Sequence, residues 1–184
     1  PDQVARMLLD ETAEIGIPTE SLGQYDELVT LPCYDWQHVL VLPFGHPLLD
    51  KERISLEDLA KQPLITYHPT FTGRTRIDQA FAQRQLVPNV VLDAIDSDVI
   101  KTYVKLGMGV GIVAEMAMQG DERSSDLVAR PAGHLFGQNV ARVAFKRGAY
   151  LRLFVLKFAE FLSDRLSRDL IMKVMQGQGH DYEM

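Results

Sequence analysis

The sequence predicts an α/β fold with a mainly parallel sheet, and three observations predict it. Between residues 54 and 129, short apolar strands alternate with capped helical segments, the pattern of a parallel sheet covered by helices. Within that stretch, Asp96-Ser97-Asp98-Val99-Ile100-Lys101-Thr102-Tyr103-Val104-Lys105-Leu106-Gly107 is an amphipathic helix that stops at glycine. It passes through Met108-Gly109 into the wholly apolar strand Val110-Gly111-Ile112-Val113-Ala114. Thr66-Tyr67-His68-Pro69-Thr70-Phe71-Thr72-Gly73-Arg74 has the opposite order, a strand feeding a polar loop that opens a helix. Two polar helix starts in one sheet suggest a small-molecule sensor.

The elements follow in order. Residues 2–10 read as a short helix, with Asp2 at the N-cap and Val4, Met7 and Leu8 on one face. Residues 14–17 read as a buried strand ending at Pro18-Thr19-Glu20-Ser21. A second apolar segment, 28–31, leads to Pro32, and 36–42 is a separate strand closed by Pro43 and the turn Gly45-His46-Pro47. Ser55 caps a compact helix over 55–60, with Asp58 reaching back.

Residues 64–67 make a strand, 74–85 a helix with Ile77, Phe81 and Arg84 at helical spacing, and 89–94 the next strand. The helix over 97–106 is expected to be capped by Ser97 or Asp98, and the strand 110–114 follows it. A polar break at 119–125 precedes a short strand at 127–129, and 138–146 alternates as an edge or crossing strand does. Leu151, Phe154, Val155, Phe158, Phe161, Leu162 and Leu166 recur at i, i+3, i+4, so 150–166 is expected to be one docked amphipathic helix. Ser167 caps a last helix over 168–175, and the tail after Gly177 is expected to fray.

The two ends of the chain do not close a core by themselves. The economical layout pairs 1–33 with 138–184 as one lobe, with 34–137 as the second, joined by strands near 34–43 and 138–147.

Hydrophobic residues at 46% and charged residues at 24% describe an ordinary globular chain. A net charge of −6 with no Lys/Arg run argues against a nucleic-acid surface within it. Cys33, the single cysteine, can form no internal disulfide, which fits a reducing, cytoplasmic setting. No apolar run reaches the ~20 residues of a membrane span, so no membrane partner is expected. The chain opens at Pro1 without a Met or a signal peptide and reads as a fragment.

Candidate sites are few. Thr70-Phe71-Thr72-Gly73-Arg74 lies between a strand and a helix, where free N–H groups and the helix dipole favour an anion and Gly73 allows close approach. The competing reading makes Thr72 a plain helix cap, and the residues alone leave both open. His68 reads as a structural loop residue. Gly107, Gly109 and Gly111 follow a helix and precede a strand, the reverse of the dinucleotide-binding order. Cys33, Asp35 and His38 lie close in sequence, but strand alternation puts Cys33, Asp35 and Gln37 on one face and His38 on the other. Cys33 therefore reads as a small buried hydrophobe. No metal-spaced cluster, phosphate-cradling loop or catalytic constellation is present, so no metal, no cofactor and no enzyme activity are expected.

Asp98-Val99-Ile100-Lys101-Thr102-Tyr103-Val104-Lys105-Leu106-Gly107-Met108-Gly109-Val110-Gly111, with the upstream Phe71-Thr72-Gly73-Arg74, resembles the effector-binding domain of LysR-type transcriptional regulators. Ile17-Pro18-Thr19-Glu20, Leu31-Pro32-Cys33-Tyr34-Asp35-Trp36 and Pro63-Leu64-Ile65-Thr66-Tyr67 resemble its CysB/Cbl branch, regulators of cysteine biosynthesis and sulfur assimilation. The resemblance covers essentially the whole chain. It implies two α/β lobes like type 2 periplasmic binding proteins, joined by two crossing strands.

It also implies an effector in the interlobe cleft: N-acetylserine or O-acetylserine, sulfate, thiosulfate or adenosine phosphosulfate. Thr19 and Thr72 fall where the family binds effector or sulfate, Gly73 adjoins Thr72, and Trp36 lies beside that pocket. The family's first strand, its Thr/Gln-bearing loop and its DNA-binding winged helix-turn-helix would lie before Pro1. Promoter DNA is then a partner only through that further domain, RNA polymerase a possible one, and the domain a dimer within a homotetramer. Pro18 stands where relatives often carry a small residue, which bears on how the turn presents Thr19. The same fold is also that of secreted oxyanion solute-binding proteins, which form the alternative.

Overall fold

The computed structural model describes residues 2–18, 22, 24–118 and 126–177. The chain divides into two compact units, Pro1–Asp35 with Asn139–Met184, and Trp36–Gln138.

In the Trp36–Gln138 unit the sheet has the order β3-β2-β4-β1-β5. Its strands are the later part of β1 (Leu28–Pro43), β2 (Pro63–Tyr67), β3 (Asn89–Ala94), β4 (Val110–Ala114) and β5 (Leu127–Pro131). β2 runs parallel to β3 and β4, and β1 runs antiparallel to β4 and β5. The sheet is thus mixed, where a mainly parallel one was expected. Parallel pairing needs a crossover helix. Only β2, β3 and β4 are linked that way, through α3 (Thr72–Gln83) and α4 (Ser97–Lys105).

Both faces of this sheet are covered. Leu40, Leu42, Leu64 and Ile112 pack against Ile77 and Phe81 of α3, Leu56 and Leu59 of α2 (Leu56–Leu59) and Phe136 of α5 (Gly133–Phe136). Val39, Val41, Ile65 and Val113 pack on the other face against Ile100 and Val104 of α4. A strand buried on both sides has to be a continuous apolar run, which is what 39–42 is.

The other unit holds α1 (Asp2–Leu9), the first part of β1, β6 (Gln138–Lys146), α6 (Leu153–Leu162) and α7 (Arg168–Met175). β6 pairs with β1. Its main core joins Val29, Leu31, Cys33, Val143 and Phe145 to Val155, Leu156 and Ala159 of α6 and Ile171 of α7. The strand expected at 14–17 is a single bridge, Gly16 to Ala144, because Pro18 has no N–H with which to extend the ladder.

The segments 28–31 and 36–42 belong to one 16-residue strand. Its alternation slips by one residue inside: Leu31 and Cys33 are buried, Tyr34 and Asp35 are both exposed, and Trp36 and His38 are buried. The slip falls where the chain passes from one unit to the other, so each part presents its apolar side to its own core.

Two further expectations are corrected. α6 covers less than 150–166, and it docks through Val155, Leu156 and Ala159, leaving Phe154, Phe158 and Phe161 exposed at 59%, 48% and 88%. The seven-residue stripe is wider than one helix face, and the side of α6 that meets the core of β1, β6 and α7 is the one with Val155, Leu156 and Ala159. α4 is capped by Asp96, whose carboxylate accepts from Asp98 N at 2.6 Å, while Asp98 pairs with Lys101 at 2.8 Å. The capping box at Ser55 and Asp58 forms as expected. The polar break at 119–125, Thr19 and the tail after Gly177 lie outside the described residues. Among the described residues no helix is long and apolar enough to cross a membrane.

Candidate functional site at the start of helix α3

β2 ends at Tyr67, and a tight turn carries the chain into α3. His68 Nδ1 lies 3.0 Å from Thr70 Oγ1 and accepts from Thr70 N at 3.3 Å, so His68 and Thr70 satisfy each other in that turn. The helix begins at Thr72 behind Phe71 in the N-cap position. Phenylalanine offers no acceptor, and the first turn carries no acidic residue, so the positive end of the helix is left without a side-chain cap. The reading of Thr72 as a plain helix cap, one of the two left open, gives way here: Thr72 is the first helical residue.

The wall behind this turn comes from β1. Trp36 and His38, two residues apart, lie on the same side of the strand and are 6% and 0% exposed. Their rings are 5.1 Å apart, and the His38 ring meets Phe136 of α5 edge-on at 5.6 Å. Gly73 lets the helix backbone approach them: a Cβ there would lie 3.1 Å from His38 Nε2 and 3.9 Å from Trp36 Cη2. Neither ring nitrogen of His38 has a hydrogen-bond partner. Burial first, then the charge of Arg76, push its pKa from 6.5 to about 4, so the imidazole is neutral near pH 7.

Gln37 fixes this part of β1. Its backbone N and its Nε2 donate to the two carboxylate oxygens of Glu115, each at 3.2 Å, and its Oε1 accepts from Gly133 N at 3.1 Å. The Ala132 N–H donates to the His38 carbonyl at 2.9 Å.

The arginines divide in role. Arg74 is 9% exposed and its charge is paired: Nε donates to Asp78 at 2.8 Å, and Nη1 to the Tyr67 carbonyl at 3.0 Å and to Asp93. Burial opposes its charge, and the Asp78 and Asp93 carboxylates more than offset it. Arg76, one turn into α3, is exposed and is the cation that acts on His38.

Of the four expected contacts, Trp36 and Gly73 come together with the backbone of Thr72, and Thr19 is outside the described residues. His38, Gln37 and Arg76 stand around this turn and are not among the expected contacts; from sequence, His38 is weighed only beside Cys33 and Asp35. The Trp-x-His spacing was the available signal for His38. Cys33 is elsewhere, in the core with Val143 and Phe145, and burial pushes its thiol pKa up, so it is an unreactive hydrophobe. No group of His, Cys, Asp or Glu among the described residues can hold a metal.

The model of the LysR substrate binding domain matches residues 1–167. The chain belongs to this family. It is 51% identical over its full length to the transcriptional regulator CysB of Burkholderia cenocepacia, covering 58% of that protein. It is 49% identical over 167 residues to SsuR of the same organism, covering 91% of this chain and 54% of that one. The crystal structure of the cofactor-binding domain of the Cbl transcriptional regulator superposes with a TM-score of 0.85 at 42% identity, over 96% of this chain and 77% of that one. This LysR-family chain therefore spans a little over half the length of the curated relatives it matches. Those relatives are transcriptional regulators, which tells against the secreted solute-binding alternative.

Proposed function

We propose that this chain is the effector-sensing domain of a transcription regulator of cysteine biosynthesis or sulfur assimilation, and that it takes a small anion at the start of α3. The observation that carries the reading is the uncapped first turn of α3 standing over the buried Trp36 and His38. A helix start without a side-chain acceptor favours an oxyanion or carboxylate. Arg74, spent on Asp78 and Asp93, leaves backbone amides, hydroxyls and Arg76 as the binding groups. Sulfate, thiosulfate, the acetylserines and adenosine phosphosulfate all carry such a group. The identity to CysB and SsuR supports the sulfur-related role. Trp36, Gly73, Thr72 and Thr19 are the assigned effector residues, Thr19, Thr72 and Trp36 by family resemblance and Gly73 from its place at the helix start. Promoter binding through a winged helix-turn-helix outside this chain, contact with RNA polymerase and assembly as dimer and tetramer belong to the same proposal.

A thermal-shift series with those five ligands tests it. A ligand that binds only the native state raises the midpoint with concentration, by about 2.7 kcal/mol of stability at a hundredfold excess over Kd. Thr72→Ala should abolish most of that rise with the ligand-free midpoint little changed. A flat response to all five ligands overturns the anion-site reading.

A further inference from the structure

We propose that His38 makes anion binding at the start of α3 proton-linked: as the anion enters, the ring takes one proton from solvent and donates the new N–H to the ligand. The inference rests on the anion-site reading above and goes further by assigning a residue and a pH dependence to it.

The geometry is specific. His38 is fully buried, and neither ring nitrogen makes a hydrogen bond of good geometry; the Gly73 backbone beside it favours the charged ring and is outweighed by burial and Arg76. A neutral imidazole carries one donor and one acceptor, and leaving such a group unpaired in a dry place is unfavourable. Nε2 stands against the α3 backbone at Gly73, 3.1 Å from the point a Cβ would occupy. The first turn of that helix has no side-chain cap and no acidic residue. A buried, unpartnered polar ring thus faces an open helix start.

The surroundings explain why the ring is neutral without a ligand. Trp36 of β1 and Phe136 of α5 press on it and bring no charge. Ala114 faces it at its register position on β4. Arg76 of α3 is the charged group that bears on it. The carboxylates on the neighbouring elements are engaged elsewhere, Glu115 by Gln37 and Asp78 by Arg74. Burial, Arg76 and the helix dipole oppose an imidazolium and outweigh the Gly73 backbone, which favours it. An anion at the helix start reverses the local field, and the ring then gains an acceptor and a reason to charge. The bound-state pKa is raised above the free value of about 4. Between the two values, affinity falls by up to about tenfold per pH unit as pH rises.

Calorimetric titration of the full chain with sodium sulfate from pH 5 to 8 tests this, because sulfate stays a dianion across the range. Repeating it in buffers of different ionisation heat counts the protons taken up. The expected result is uptake approaching one proton per sulfate at the acid end and an affinity that weakens with pH. His38→Gln, which hydrogen-bonds and does not titrate, should bind with a flat pH profile. Long-range ¹H–¹⁵N spectra of the unsubstituted chain give a second readout should His38→Gln fail to fold. There the His38 ring should move from neutral to charged when sulfate is added near pH 6. Sulfate binding with no pH dependence, an equal slope in His38→Gln, or a ring that stays neutral overturns the proton linkage and leaves the anion site standing. No sulfate binding at any pH overturns both.

Discussion

A Cβ added at Gly73 would lie 3.1 Å from His38 Nε2, closer than a side-chain carbon normally sits. Gly73→Ala should therefore keep the fold and displace His38, whose ring lies 5.1 Å from that of Trp36, by a few tenths of an ångström. Trp36 is the single tryptophan, so its emission reports the movement of the neighbouring ring. Sulfate affinity should fall at least about fivefold, the equivalent of roughly 1 kcal/mol, and calorimetry checks it. An alanine with unchanged emission and affinity would remove Gly73 from the site. Gly133→Ala should act from further away, since its Cβ would meet Gln37 Oε1 at 2.5 Å and break the clamp on β1. Trp36 entered the reading through family resemblance and Gly73 through its place at a strand-to-helix turn. His38 was weighed only as a partner of Cys33 and Asp35, because its packing against Gly73 of α3 appears only in three dimensions. Arg76 was hidden for a similar reason: sequence does not show that Arg74, two residues earlier, is already bound by two carboxylates.

The glycine run after α4 combines three separate demands. Gly107 ends the helix at φ +76°, a turn that glycine adopts without strain. A Cβ at Gly109 would collide with the Pro63 carbonyl, a backbone atom of β2 that cannot move aside. At Gly111 it would meet Val104 at 2.9 Å, Ile100 at 3.1 Å and Val41 at 3.2 Å, side chains with some freedom to repack. Gly109→Ala should thus destabilise more than Gly111→Ala, which should lie near the usual 1–3 kcal/mol of overpacking; urea midpoints of the two variants check the order. Ser55→Ala, which opens the α2 capping box, should cost about 1 kcal/mol by the same measurement. The helices and strands from 54 to 114 were readable because periodicity and turns agree there, though the caps of α3 and α4 fell one or two residues away from the expected ones. β1 was not readable as one strand, since Pro32 and the slip at Tyr34–Asp35 are the local marks of two. The α6 stripe misled because periodicity counts apolar residues without weighing their fit, and the phenylalanines face outward.

Acid should unfold the molecule in two windows whose origins differ. His38 has a folded pKa of about 4 against 6.5 for the free side chain. Between those values the unfolded chain holds a proton that the native chain refuses. The stability is therefore complete above pH 6.5 and is lost as pH falls to about 4. The shift corresponds to a loss on the order of 3 kcal/mol. His46, also lowered by burial, adds to the same window. Carboxylates act below it. Glu11, Asp35, Asp58 and Glu160 are held below their usual range, first by hydrogen bonds to Lys146, Arg165, Lys51 and Lys157. Their contribution is present at neutral pH and disappears as pH falls through their lowered values. Salt separates the two windows, because a Debye length of about 3 Å at 1 M screens exposed pairs and hardly reaches a buried ring. In urea series from pH 8 to 3, sodium chloride should flatten the lower window alone, and His38→Gln should shrink the upper one alone. An unsubstituted chain whose midpoint stays level from pH 7 to 5 would contradict the buried, neutral imidazole on which the proton-linked site depends.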